Sequence, residues 1–232
     1  MSRVAIIAAM AGELKPLVRG WEHRPRDGVG IWRRRLGGDE WVAAFAGVGV
    51  DAATRSFAGI ERDGPVDLAV SVGWAGALRE GFATGRAYRV SAVIDALTGE
   101  RFRAAAWPGD CLLVTARGVA DPPQKRRLAA AFGAGLVDME AAAVARLAAV
   151  RGIPFHCVKG VTDAPGDQLP DFNRFISADG QFQAARFALS AILRPRHWRA
   201  LLRMGENSRA SAEAIRESLL DILDDRRGPG SK

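Results

Sequence analysis

Short apolar runs alternate along this chain with stretches whose apolar residues recur at helical spacing. Val4–Ala9 reads as a buried strand, and Glu13–Trp21 as a helix with Pro16 in its first turn. Ile31–Leu36 and Glu40–Ala46 form a hairpin across Gly37-Gly38-Asp39, and Asp51–Arg62 is helical. Asp67–Val72 is a second buried strand, ending in a turn at Gly73-Trp74-Ala75-Gly76. Strands follow at Ala87–Ile94 and Cys111–Thr115, then a helix at Pro123–Phe132. The short strand Leu136–Asp138 leads into a helix Met139–Arg151 that Gly152 terminates, and Phe155–Val161 is another buried strand. Phe172–Leu193 and Trp198–Leu223 read as helices.

Strands that are continuously apolar need cover on both faces, and the interleaved helices supply it. The pattern therefore predicts an α/β fold, a three-layer α/β/α sandwich with a central mixed sheet. No repeat or interior linker divides it. Residues 1–223 are expected to form one domain that includes a basic C-terminal helix from about 198. Residues 224–232, charged and then rich in Gly and Pro, form a flexible tail. Arg3 and the apolar run behind it have the look of a short signal peptide, but Glu13, Lys15 and Pro16 follow at once, which favours a first buried strand.

Composition adds a few bounds. A net charge of +7 is compatible with nucleic acid, an anionic surface, an anionic substrate or plain solubility. No motif with a nucleic-acid mechanism accompanies it, so nucleic acid is not expected as a partner. Cys111 and Cys157 both lie in apolar runs and read as buried thiols suited to a reducing cytoplasm. His23, His156 and His197 are far apart, and no metal site is expected.

Open α/β sheets bind ligands beyond the carboxyl ends of their strands. Three acidic residues sit where that rule points: Glu13 after the first strand, Glu140 after Leu136–Asp138, and Asp163 after Phe155–Val161. Each also has a structural reading, since carboxylates favour first helical turns and Asp163 precedes the turn Ala164-Pro165-Gly166. Gly47-Val48-Gly49 lacks the third glycine of a dinucleotide loop.

These segments carry a resemblance. Ala8-Ala9-Met10-Ala11-Gly12-Glu13, Gly47-Val48-Gly49, Ser71-Val72-Gly73-Trp74-Ala75-Gly76, Val137-Asp138-Met139-Glu140-Ala141-Ala142-Ala143 and Val158-Lys159-Gly160-Val161-Thr162-Asp163 occur in that order. Together they resemble the purine nucleoside phosphorylase and nucleosidase superfamily, in particular the methylthioadenosine and adenosylhomocysteine nucleosidases. The resemblance implies a nucleoside phosphorylase-like fold and cleavage of the N-glycosidic bond of a purine nucleoside. It implies that Asp163 is the general acid at the purine N7 and that Glu13 orients or deprotonates the attacking water. Glu140 would hold the ribose hydroxyls, Met139 would pack on the sugar, and Gly73, Trp74, Val119 and Thr162 would contact substrate. No cofactor is implied, and a dimer is expected by family analogy.

The departures from the pattern refine this. Trp74 replaces a hydroxyl residue that helps hold phosphate in phosphorylases, and an arginine often found before the glycine signature is missing. Both favour hydrolysis over phosphorolysis, with Arg33, Arg34 and Arg35 as the alternative phosphate clamp. The short segment between Thr98 and Leu136 should contain the wall against the base, near Val119.

That shortened middle and the tail from Leu193-Arg194-Pro195 to Asn207-Ser208-Arg209 are similar to the hopanoid-associated phosphorylase-like proteins. This implies a lipid-linked substrate, adenosylhopane, met at the periphery of the inner membrane. Trp198, Leu201 and Leu202 on one face, with Arg194, Arg196, Arg199 and Arg203, suit an anionic surface; a core-packing helix with a solvated basic face is the alternative. A phosphate-dependent phosphorylase and a non-catalytic nucleoside-binding protein remain the competing functions. Under the enzyme reading, Asp163→Asn should abolish turnover and spare the fold.

Overall fold

The computed structural model describes residues 2–105, 109–177, 179–192 and 198–227. Strands β1 (Arg3–Ala8), β2 (Glu22–His23), β3 (Gly30–Leu36), β4 (Asp39–Phe45), β5 (Leu68–Ala77), β6 (Ala87–Asp95), β7 (Arg101–Arg103), β8 (Cys111–Thr115), β9 (Leu136–Asp138) and β10 (Phe155–Asp163) form one mixed sheet. The helices are α1 (Ala11–Leu14), α2 (Val50–Glu61), α3 (Pro122–Phe132), α4 (Ala141–Arg151), α5 (Ala184–Ile192) and α6 (Trp198–Arg227).

β1, at the centre, pairs in parallel with β4 and β5. β5 pairs in parallel with β10 and antiparallel with β9. Since β10 also pairs with β6, β6 with β8 and β8 with β9, half of the sheet closes on itself as a small ring. The rest stays open and is covered on both faces. α2 and α4 pack on one face over Ala5, Ile7, Ala44 and Ala69. α1 and α6 pack on the other over Ile6, Ala43, Val70 and Val158. Burial of side chains such as Ile6, Phe57 and Leu113, all essentially inaccessible, contributes about 1.5–3 kcal/mol each. The predicted three layers and mixed sheet are present.

Several elements differ from the sequence expectation, each for a local reason. β5 does not end at Val72 but continues to Ala77, with Gly73 at φ 137°, Trp74–Gly76 in the ladder with β10 and Ala77 paired with Leu136 of β9. α1 is one short turn instead of a helix from Glu13 to Trp21, because the Glu13 carboxylate folds back onto the backbone that enters it. The expected helix over 172–193 is a 3-10 turn at Phe172–Phe175, a bridge Ile176↔Phe182 and then α5. Gly180, at φ 80°, and the Ser177 hydroxyl that accepts from the Gln181 N–H make the reversal. α6 extends beyond Leu223 to Arg227, so the expected tail begins as helix; residues 228–232 lie outside the described residues. Leu193, Arg194, Pro195, Arg196 and His197 also lie outside them.

Candidate active site

The carboxyl ends of β1, β5 and β10, the start of α4 and the first turns of α6 enclose a cavity of about 340 Å³. Glu13, Glu140 and Asp163 all line it, although they are far apart in sequence. Met139, Trp74, Val119 and Thr162 line it as well. Gly73 is not among the lining residues; its part is to admit a carboxylate. A Cβ built on Gly73 would lie 2.7 Å from Glu13 Oε1, and one on Gly76 would lie 2.9 Å from Asp163 Oδ2. The glycine signature thus lets two acidic side chains lie against strand backbone.

Glu13 is buried in α1, the turn that follows β1. Its Oε2 accepts from the backbone N–H of Ala9 and Met10, each at 2.8 Å, and its Oε1 accepts from that of Trp74 at 2.7 Å. Burial raises its pKa, against the lowering effect of these three N–H groups and the Lys159 charge. The result is a carboxyl fixed in place yet more basic than an exposed one.

Glu140 stands at the N-cap position of α4, but its side chain turns to α2 instead, where its Oε1 accepts from Gly49 N–H at 2.7 Å. The Gly47-Val48-Gly49 segment therefore serves a side chain of this chain: Gly49 is the N-cap of α2, and its N–H points at a carboxylate. The Glu140 pKa is raised, first by burial and then by the neighbouring Asp138 charge, with Lys159 acting in the opposite direction. The sign of the linkage follows. A carboxyl whose folded pKa lies above its unfolded value, ordinarily near 4.3, stabilises the fold at low pH and loses that contribution as pH rises through the folded pKa. Glu140→Gln keeps an oxygen for Gly49 N–H and removes the proton dependence. The variant's melting temperature, relative to the unsubstituted protein, is expected to improve from pH 5 to pH 8; thermal melts across that range check it, and a constant difference would contradict it.

Two buried lysines, which the sequence reading did not single out, complete the electrostatics. Lys159, in the middle of β10, lies 2.9 Å from Asp138 Oδ2 and donates to Val72 O at 3.2 Å. Burial alone would lower its pKa, but the Asp138 carboxylate, with Glu140 beside it, holds it above the ordinary lysine value. Asp138 also accepts from Thr115 Oγ1 at 2.7 Å and Ala141 N–H at 2.9 Å, which fixes the start of α4 and with it Glu140. Lys125, from α3, donates to Asp163 Oδ2 and, at 2.6 Å, to Ala164 O. The other Asp163 oxygen accepts from Thr162 Oγ1 at 2.8 Å, so Thr162 orients the acid as well as lining the cavity. A lysine inside an apolar strand run, as in Val158-Lys159-Gly160, was the available sign of a buried partner. Lys125 gave none, because it lies in the charged run Gln124-Lys125-Arg126-Arg127.

The other end of the cavity is apolar. Leu169, Phe172, Ile176, Phe182 and Phe187 line it, with Leu201 and Met204 from α6. The Phe172, Phe182 and Phe187 rings cluster with centroids 5.1–6.3 Å apart. The loop at Val119 is pinned by Asn173, whose side chain accepts from Val119 N–H at 2.9 Å and donates to Val119 O at 3.1 Å. Trp74 crosses to α6 and donates from Nε1 to Ser208 O at 3.0 Å.

Arg33, Arg34 and Arg35 do not serve this cavity. In the β3–β4 hairpin, Arg35 pairs with Glu40 and Leu36 with Asp39, so the arginines sit toward the end of the sheet where β4 begins. Arg33 forms an ion pair with Asp63, just past α2. The antiparallel hairpin turns them away from the carboxyl ends of the parallel strands, and that corrects the phosphate-clamp alternative.

Segment 111–194 matches the family model described as Phosphorylase superfamily. Among solved structures, the fold is similar to an MTA/SAH nucleosidase at 19% identity, with a TM-score of 0.72 over 97% of this chain and 96% of that one. An Arabidopsis thaliana 5′-methylthioadenosine nucleosidase matches at 18% identity and TM-score 0.69, over 100% of this chain and 98% of that one. A mutant of Helicobacter pylori MTAN with 5′-methylthioadenosine in its active site matches at 15% identity and TM-score 0.69, over 95% of this chain and 99% of that one. No curated protein matches the chain. The family match covers about a third of the chain, and the solved structures share its fold.

Proposed function

We infer that this chain is an enzyme that cleaves the N-glycosidic bond of a purine nucleoside by hydrolysis. The observation that carries the reading is the convergence of Glu13, Glu140 and Asp163 on one cavity. Such bonds break through an oxocarbenium-like transition state, which needs a proton for the leaving group and a placed nucleophile. Asp163 delivers the proton to N7 of the purine, and the base departs neutral. Glu13, with three lone-pair directions already held by backbone N–H groups, orients the water that attacks C1′ and takes its proton. Glu140 uses its second oxygen for the ribose hydroxyls, Met139 packs on the sugar, and Val119 belongs to the wall against the base.

Water is favoured over phosphate because no arginine lines the cavity among the described residues, and its lining cation Lys125 is already engaged by Asp163. A dianion held there would lack donors. The apolar end favours an adenosine with a large apolar 5′ substituent. Leu201 turns into the cavity, while Leu189, Trp198 and Leu202 are 62%, 49% and 70% exposed. Apolar surface therefore continues from the cavity toward solvent, and Arg203 is exposed near it. This suits a lipid-linked nucleoside, adenosylhopane, drawn from an anionic membrane surface. No described helix is long and apolar enough to cross a membrane, so the contact would be peripheral. The dimer rests on family analogy alone.

The test is release of free adenine, followed by chromatography, from methylthioadenosine and from adenosylhopane, with and without phosphate. Release without phosphate is the expected result, with the lipid-linked substrate preferred. Strict dependence on phosphate would make the protein a phosphorylase, and binding without release would make it a nucleoside-binding protein.

A further inference from the structure

The geometry points to Lys125 as a positioning residue that supplies, through Asp163, the proton given to the leaving purine. The inference rests on the nucleosidase reading. Lys125 is the fourth residue of α3. That turn is rigid: Asp121 and Gln124 form a reciprocal capping box, Pro122 and Pro123 preset the backbone, and Lys125 N–H bonds to Asp121 O at 2.8 Å. A lysine in a first helical turn opposes the helix dipole, and this one is only 1% exposed. Neither helix formation nor solvation accounts for it there.

What accounts for it is the cavity. The ammonium has three protons, of which one goes to Asp163 Oδ2 and one to Ala164 O, and the side chain also lines the cavity. Gly76 lies beneath, where a Cβ would approach Lys125 Cε to 3.3 Å and Asp163 Oδ2 to 2.9 Å. The close approach of acid and ammonium is thus built into three elements: α3, β5 and β10.

The pair holds one proton that can be passed on. As the C1′–N9 bond breaks, its electron pair stays with the purine. N7 takes a proton from Asp163, and Asp163 takes one from Lys125. The pair is left as carboxylate and neutral amine. The attacking water forms the new C1′–O bond and gives its proton to Glu13, and solvent returns the enzyme to its starting protonation.

The test compares Lys125→Met and Lys125→Arg with the unsubstituted enzyme on two substrates. One is methylthioadenosine, whose leaving group needs a proton. The other is the 4-nitrophenyl glycoside of 5-methylthioribose, whose leaving group departs as a stable anion. Lys125→Met is expected to lose about 10²–10³-fold in kcat on the nucleoside and to stay within a few-fold on the nitrophenyl glycoside. Lys125→Arg, which keeps the charge but does not give up its proton, should restore the melting temperature and leave the nucleoside rate low. Equal losses on both substrates, or recovery of nucleoside turnover by Lys125→Arg, would overturn the inference, since charge and packing would then suffice. An unsubstituted enzyme that cleaves only the nitrophenyl glycoside would also overturn it. One that cleaves neither of these, nor adenosylhopane, would overturn the nucleosidase reading beneath it.

Discussion

Under the proposed function, Asp163→Asn is expected to lower adenine release by about 10²–10⁴-fold, the usual cost of losing a positioned general acid. An amide has one oxygen in place of two, so it can accept from Lys125 or from Thr162 but not from both, and it has no acidic proton to give N7. The sequence alone suggested that this change would spare the fold. The ion pair revises that expectation: with Asn at 163, the buried Lys125 ammonium faces a neutral group, and a buried charge without its partner is destabilising. The variant should remain folded, since Ala164 O still accepts from Lys125, but should melt below the unsubstituted protein. Steady-state kinetics with a parallel thermal melt checks both statements. Substantial retained activity would remove Asp163 from the acid role.

Lys159→Met is expected to be the most damaging single change to stability. Lys159 and Asp138 are both inaccessible, and Glu13 and Glu140 lie close enough for the lysine charge to lower their pKa values. Removing the cation leaves Asp138 buried with only Thr115 and Ala141 as donors, and the desolvation cost of the carboxylates is no longer offset. Breaking a buried pair from one side costs about 3–5 kcal/mol, a large share of the roughly 5–15 kcal/mol of a typical domain. Chemical denaturation gives the value directly. A loss below 1 kcal/mol would mean that the cluster is better hydrated than its burial indicates. Activity should fall as well, because Asp138 anchors the turn that carries Glu140.

The apolar runs at Val4–Ala9 and Cys111–Thr115 can only be buried strands, and the amphipathic stretch at Asp51–Arg62 can only be a covering helix, so local pattern carried the layer architecture. The three acidic residues were also legible, because strand ends in such sheets are where ligands gather. Pattern failed where a residue answers to a distant partner. β5 runs through its glycines because β10 hydrogen-bonds to it, and a glycine-rich stretch with no visible neighbour reads as a turn. The aromatic residues after Phe172 looked like one helix because their spacing is helical, whereas their rings pack on one another across a reversal at Gly180.

By itself, then, the sequence determined most of the strand and helix segments, the α/β class, and the acidic residue types gathered at the strand ends. Only the tertiary structure decided that Glu13, Glu140 and Asp163 meet in one cavity, that Arg33, Arg34 and Arg35 do not, and that Lys125 and Lys159 lie inside it or beneath it. Strand and helix formation depends on neighbours a few residues away, so it leaves a local trace. The pairing of a buried charge depends on desolvation and on a partner 38 residues away for Lys125 and Asp163, and that is set only when the sheet closes.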